Sequence, residues 1–523
     1  MADLTATGGV EGPGAIARIA IGDMLRRSAR RWPDRIALTE YGRRTTYAEI
    51  DRTANRLAHA LIGRGLTPGT KVSTVCANSS ELVAVLFALH RAGLVWVPIN
   101  LMLPAEDVRY TLEHAGVGFA VIDPGFAEAP ALGGVIREMG LPTLTCEAGF
   151  GGALDGMPDH EPDVPIHGDD LAMIIYTSGT TSKPKGAMHS HLSVVMAQMS
   201  NAIEMRLHRD SGVTLHLPLF HCAAHCLLLS FLLVGGKASI MRGFDPEAIL
   251  RTIDQDRLTM CVGLPMMYAA MIDHPARAKY STDSLELNIY TMAPMPRPLM
   301  ERLIAEFSPN FTLTSGQTEM YPATCGSRPE RQLERFGNYW GESFAVNDAA
   351  IMDDEGALLP PGVPGELVHR GPNVMLGYYR NPEATAEARA HGWHHTGDVA
   401  MIDAHGEILF LDRKKDMIKS GGENVSSVKV EEALLAHPAV AAAVAVGLPH
   451  PKWGEAVTGF VQLKPDAQAD EADILSHCHG LLSGFQSPKR IVFVDAMPTT
   501  ATGKLRKVEF RQSHAELYAN DAA

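Results

Sequence analysis

The chain has 523 residues, 46% hydrophobic and 20% charged, so it can bury large cores and is too long for one ordinary domain. Its formal net charge of −14 argues against general nucleic-acid binding and leaves room only for local cationic pockets. Seven scattered cysteines suit a reducing compartment, so a cytoplasmic address is expected, and no apolar run reaches the roughly 18 residues of a spanning helix.

Residues 1–19 lack the basic start and apolar run of a secretory signal and read as a flexible leader. LRRSARRW (25–32) sets Arg26/Arg30 and Arg27/Arg31 at i, i+4 on a predicted helix, read as a solvated face in preference to a membrane contact. From Thr46, helix-period segments alternate with short β-branched runs. The helical ones are YAEIDRTANRLAHALIGRG, SSELVAVLFALHRAG and EDVRYTLEHAG; the strand-like ones are KVSTVC, VWVPIN and FAVID. This is the rhythm of strand–helix units winding a largely parallel sheet, and it resumes over 170–300.

Residues 176–186, YTSGTTSKPKG, follow the apolar run LAMII (171–175), and HLSVVMAQMSNAIEM is expected as the helix after them. Thr177, Ser178, Gly179, Thr180, Thr181 and Lys185 offer hydroxyls, backbone N–H groups and a cation to one anion, most simply a polyphosphate. The loop is not the common Walker type, because Pro184 stands where its second glycine is needed. LPLFHCAAHC (217–226) does not suit zinc: on one helix His221 and His225 share a face while Cys222 and Cys226 lie about 100° away. SGQTE (315–319) follows a strand-like run, and Glu319 beside the Thr318 hydroxyl offers hard oxygen ligands to Mg²⁺.

Over 345–411, short strands between Asp-Glu-Gly, Pro-Pro-Gly and His-Gly turns predict a small antiparallel barrel or sheet. Within it, Asp398 follows a Thr-Gly turn and can accept two ribose hydroxyls, while Arg413, fifteen positions on, can reach the ribose or a phosphate. DRKKDMIKSGGEN (412–424) marks a boundary before a compact α+β module. The expected class is α/β: wound parallel sheets plus a small antiparallel β-barrel over 20–411, a hinge at 412–415, and a small mobile α+β domain over 416–523.

Taken in order over about residues 20–510, these motifs resemble the adenylate-forming superfamily of acyl-CoA synthetases, luciferases and peptide-synthetase adenylation domains. TMAPMP (291–296) resembles the family's turn along the adenine, with Ala293 and Pro294 matching and Met292 replacing a glycine. Ser315, with Gly316 and Gln317 after it, stands where an aromatic usually stacks on the base. PTTATGKLRK (498–507) matches the terminal signature, which makes Lys504 the lysine bridging the carboxylate and the α-phosphate. A fixed ammonium there stabilises the negative charge of a pentacoordinate phosphorus.

The resemblance further implies a pivot at Lys415, whose rotation withdraws Lys504 and brings Ser420, Gly421 and Gly422 beside the acyl group. Trp453, Phe485 and Lys489 match CoA-contacting positions, and His221 matches the gate between acyl pocket and thiol tunnel. The implied pocket of His221, Cys222, Met266, Met267, Thr314, Gly316 and Tyr321 is mostly apolar, with Gly316 leaving room for a chain or ring. Cys222 offers no charge where amino-acid-activating relatives carry an aspartate, which favours a simple carboxylic acid. Ser182 replaces a usual glycine.

The implied activity is that of an acyl-CoA synthetase of the fatty-acid–CoA ligase branch. An acid, ATP and CoA enter with Mg²⁺, and acyl-CoA, AMP and pyrophosphate leave. A medium- or long-chain fatty acid is the expected substrate, with an aryl carboxylate next. Loading of a carrier-protein thiol is the enzymatic alternative, and a nucleotide-binding regulator without catalysis is the other. No nucleic-acid partner is expected, and a homodimer is left open.

Overall fold

A computed structural model describes residues 18–177, 183–291, 295–335, 337–499, 505–519 and 521. The rhythm from Thr46 folds as read. Thr46 caps the helix Tyr47–Gly63: its hydroxyl accepts the Glu49 N–H while the Glu49 carboxylate takes the Thr46 N–H. The strands Lys71–Val75, Val95–Pro98 and Phe119–Ile122 alternate with the helices Ser80–Arg91 and Ala105–Ala115. Gly116, at φ 69°, ends the latter helix in a left-handed turn.

Chain contacts divide the molecule into two compact units. The first comprises the residues up to Thr177, Pro184–Asp348 and Arg370–His394. It holds two parallel-rich sheets. In one, the strands Phe311–Ser315, Leu287–Tyr290, Met260–Gly263, Gly212–Leu215, Lys237–Ile240 and Ile36–Glu40 lie side by side and parallel. In the other, Leu171–Tyr176 joins Val95–Pro98, Lys71–Val75, Phe119–Ile122 and Thr143–Thr145, again all parallel.

The helix Cys222–Val234 is apolar on every side and runs through the core, burying Leu228, Leu229, Phe231 and Leu232 almost completely. The arginine-rich helix Ile21–Arg31 is less solvated than expected: the wholly buried Asp23 pairs with Arg26 at 2.8 Å and Arg27 at 3.7 Å, and Arg26 also reaches Glu161. Among the described residues, no helix is long and apolar enough to cross a membrane.

The second unit comprises Lys183, among the described residues of its first stretch, together with Ala349–His369 and His395 onward. Its strands Asp348–Met352, Gly365–Arg370, His394–Ile402 and Ile408–Arg413 follow one another in an open order. The small barrel expected over 345–411 is therefore corrected to an open antiparallel sheet, since the alternating pattern specifies pairing but not closure. The C-terminal module sets the helices Ser427–Leu435 and Glu471–Leu481 on a sheet centred on Gly454–Leu463, with Val440–His450 antiparallel and Arg490–Phe493 parallel to it.

Candidate active site

Four neighbouring parallel strands end together, and the carboxyl ends of such strands are where open α/β sheets bind ligands. Past Phe311–Ser315 comes the Gly316–Glu319 segment; past Met260–Gly263 come Met266 and Met267; past Gly212–Leu215 the chain runs to His221. Past Leu287–Tyr290 lie Ala293 and Pro294, which fall outside the described residues. One sheet thus gathers candidates that the sequence scatters over a hundred positions.

His221 caps the buried helix, its Nδ1 accepting the Ala223 N–H. The next residue, Cys222, is buried with its Sγ 3.4 Å from Thr318 Oγ1, which brings the expected gate and the expected metal segment into contact. Thr318 is fixed from below by a residue the sequence did not single out. His189 Nε2 donates to the Thr318 carbonyl at 2.8 Å, and burial lowers this imidazole's pKa to about 4, so it stays neutral.

Glu319 has a partner that sequence spacing could not reveal. The Tyr378 hydroxyl donates to Glu319 Oε1 at 2.8 Å, and the Lys185 ammonium lies 4.9 Å from the centre of the Tyr378 ring. Tyr378 sits on the short strand Gly377–Tyr378, which pairs antiparallel with Gly186–Ser190. One side chain therefore touches both the lysine of the hydroxyl-rich loop and the carboxylate of SGQTE.

The strands that flank the loop pair with each other. Leu171–Tyr176 pairs antiparallel with Gly186–Ser190, and the Thr177 N–H donates to the Lys185 carbonyl at 2.9 Å. The helix expected over HLSVVMAQMSNAIEM runs from His191 to Glu204 as read, and the intervening GAMHS is a strand. Gly186 is needed for a close approach: a Cβ there would stand 2.7 Å from Ile174 Cγ2 and 3.1 Å from the Tyr176 ring. Ser178, Gly179, Thr180, Thr181 and Ser182 lie outside the described residues.

One expected pocket residue is corrected. Tyr321 is wholly buried; its hydroxyl bonds His225 Nδ1 and its ring packs against His189, so it belongs to the core and not to a pocket wall. Gly316 is exposed, and on its Cβ side a substituent would meet Pro322 Cβ at 3.0 Å and the backbone of Ala323 and Thr324 at 3.2 Å. Its glycine lets two chain segments approach. Thr314 is 8% exposed, Met266 is exposed and Met267 half-buried, while Ser315 and Gln317 are half-buried at the strand end.

In the second unit, Asp398 and Arg413 are cross-strand neighbours, and Arg413 Nε lies 2.7 Å from the buried Asp398 carboxylate. Lys415 is exposed, and partial desolvation lowers its pKa. Gly421 and Gly422 take positive φ of 62° and 86°, and the Gly421 N–H donates to the Trp453 carbonyl at 2.8 Å. The Lys489 ammonium lies 5.0 Å from the centre of the Trp453 ring, and Phe485 is exposed. Gly421, Trp453 and Lys489 therefore come together. Lys504 lies outside the described residues.

The AMP-binding enzyme family matches residues 25–379, and the AMP-binding enzyme C-terminal domain matches 429–504. The chain is an AMP-binding enzyme. Feruloyl-CoA synthases of Amycolatopsis and Streptomyces species are 36% identical to this AMP-binding enzyme over 93% of its length and 97% of theirs. The long-chain-fatty-acid–CoA ligase FadD13 of Mycobacterium tuberculosis is 31% identical over 95% of this chain and 98% of its own. ATP-bound MatB from Rhodopseudomonas palustris superposes with a TM-score of 0.86 at 28% identity, covering 95% of this chain and 99% of that one. This AMP-binding enzyme is accordingly an adenylate-forming acid–thiol ligase of the acyl-CoA synthetase kind.

Proposed function

We propose that this enzyme joins an aromatic carboxylic acid of the hydroxycinnamate type to CoA, using ATP and passing through an acyl-adenylate. The observation that carries this reading is the 36% identity to feruloyl-CoA synthases over nearly the whole of both chains, against 31% to the long-chain ligase. It displaces the fatty acid that the sequence alone favoured and raises the aryl acid that stood second. The apolar Met266 and Met267 and the uncharged Cys222 at the strand ends are compatible with either acid.

In the adenylation half, the Thr177–Thr181 hydroxyls and Lys185 hold the β- and γ-phosphates. Asp398 and Arg413 hold the ribose, and Lys504 stabilises the α-phosphorus as the acid's carboxylate attacks it. Pyrophosphate leaves. Glu319 fits Mg²⁺: it is a half-buried carboxylate with one oxygen oriented by Tyr378, and Mg²⁺ takes one or two carboxylates plus phosphate oxygens. When bound, the ion would offset phosphate charge. In the second half, residues 416–523 turn about Lys415 against residues 20–411. Gly421, Gly422, Trp453, Phe485 and Lys489 then guide the CoA thiol past His221 to the acyl carbon, and AMP leaves.

The test is kcat/KM for ferulate, 4-hydroxycinnamate, benzoate, octanoate and palmitate in a CoA-dependent AMP-release assay. A preference for the hydroxycinnamates supports the reading. A preference for palmitate or octanoate replaces it with the fatty-acid assignment.

A further inference from the structure

The strands Val440–His450 and Gly454–Leu463 close into a hairpin at the pair His450–Gly454, and Gly454 takes a positive φ of 73°. Only Pro451, Lys452 and Trp453 stand between them, so a short turn carries a large ring. A half-buried tryptophan on such a turn swings freely unless something holds its ring.

His450 holds it. The two rings stack with centres 4.2 Å apart and planes 29° apart, and the buried His450 rests in turn on the buried Tyr518 at 5.3 Å. The Lys452 N–H donates to His450 Nδ1 at 3.0 Å, which leaves the neutral ring's proton on Nε2, 3.8 Å from Asp521 Oδ2. Behind the imidazole, the Tyr518 and Thr458 hydroxyls meet at 2.9 Å. The imidazole is thus fixed in place and orientation, and the stack passes both on to Trp453.

The other neighbours of Trp453 are those of a ligand site. The Lys489 and Lys452 ammonium groups lie 5.0 and 5.8 Å from the centre of its ring, and among the described residues neither pairs with a carboxylate. In a chain of net charge −14, two such cations beside an aromatic ring suit a molecule that carries both a base and phosphates. The Trp453 carbonyl accepts the Gly421 N–H, so the same turn also places the glycine pair. Packing of the hairpin accounts for the buried Tyr518, but not for two cations without carboxylates around a half-buried ring.

We propose that His450 is a positioning residue for the thiol substrate: by stacking on Trp453 it presents that ring, flanked by Lys452 and Lys489, to the adenine and phosphates of CoA. This role rests on the reading above in which Trp453 and Lys489 contact CoA.

KM for CoA, and kcat/KM for pantetheine, which lacks the nucleotide, are measured in thioester formation from supplied acyl-adenylate, beside ATP–pyrophosphate exchange. The full chain is used as wild type, Trp453→Ala, His450→Ala, His450→Leu and His450→Phe. His450→Ala is expected to raise KM for CoA roughly three- to tenfold, the scale of one aromatic pair, with pantetheine use and exchange within about twofold of wild type. A merely structural role would lower all three activities. His450→Phe recovers most of the affinity, because its ring can stack on Trp453 and pack on Tyr518. His450→Leu fills the volume without an aromatic face and does not.

An unchanged KM for CoA in His450→Ala, equal losses with CoA and pantetheine, or a matching fall in exchange overturns the role, as does a His450→Phe enzyme no better than His450→Leu. If His450→Ala does not fold, His450→Leu is read on the same criterion. If Trp453→Ala leaves KM for CoA unchanged, the CoA contact itself fails. If Trp453→Ala raises it and His450→Ala does not, only the positioning role fails.

Discussion

Replacing Tyr378 with phenylalanine removes one oxygen and leaves the ring, so it isolates the hydrogen bond to Glu319 from the contact with Lys185. A hydrogen bond to a charged group contributes about 1.5–3 kcal/mol. Glu319 is half-buried and water can replace part of the bond, which favours the lower end. A loss of about 1.5 kcal/mol in the transition state is a rate loss of roughly tenfold. Tyr378→Leu removes the ring face as well, and a cation–π contact of about 0.5–1 kcal/mol adds roughly another two- to fivefold. ATP–pyrophosphate exchange measured against Mg²⁺ concentration reads both effects. Tyr378→Phe is expected to lower kcat and to raise the Mg²⁺ concentration at half-maximal rate, with KM for the acid unchanged. Exchange within twofold of wild type at every Mg²⁺ concentration would show that the hydroxyl does not place Glu319.

Three further outcomes are expected. Burial lowers His189, His191 and His216 to about 4 and His225 to about 3. Free histidine titrates near 6.5, so below that pH the unfolded chain binds protons that the folded one does not. Stability is then complete above about pH 6.5 and is lost as pH falls toward 4, by about 2 kcal/mol per histidine at pH 5. The thermal midpoint should drop from pH 7.5 to 5.0, His189→Gln should soften that drop, and an unchanged midpoint would contradict the assignment. Gly186→Ala forces a methyl to 2.7 Å from Ile174 and should cost about 1–3 kcal/mol, seen as a lower thermal midpoint and a higher KM for ATP. Arg413→Met removes the guanidinium from the Asp398 carboxylate, which is 2% exposed. Because the guanidinium is itself partly exposed, a loss of about 1–2 kcal/mol is expected, below the 3–5 kcal/mol of a fully buried pair, and titration of ATP binding by calorimetry measures it.

Much of this was legible in the sequence for a physical reason. Period and turn chemistry are local, so the strand–helix alternation from Thr46 and the Asp398–Arg413 hairpin could be read from spacing alone, and both elements formed. The connections that orient the site are not local. Tyr378 meets Glu319 across 59 positions and His189 meets Thr318 across 129, and no periodicity links such pairs.

Contacts between distant segments decide the pocket positions as well. At Gly316 the Cβ side faces the returning chain at Pro322–Thr324, which no spacing in the sequence shows. The resemblance puts Tyr321 in the pocket wall, whereas its bond to the buried His225 turns it inward. Closure of the antiparallel strands was likewise overread, since alternation fixes a strand's two faces and not the number of its neighbours.

The most direct measurement of the central claim is AMP release with ferulate and ATP, in the presence and absence of free CoA, with the thioester product identified by mass. Rapid CoA-dependent release, with one feruloyl-CoA formed per AMP, is the predicted result. Pyrophosphate exchange without turnover on CoA would make the enzyme a loader of some other thiol, and no exchange with any acid would contradict the account outright.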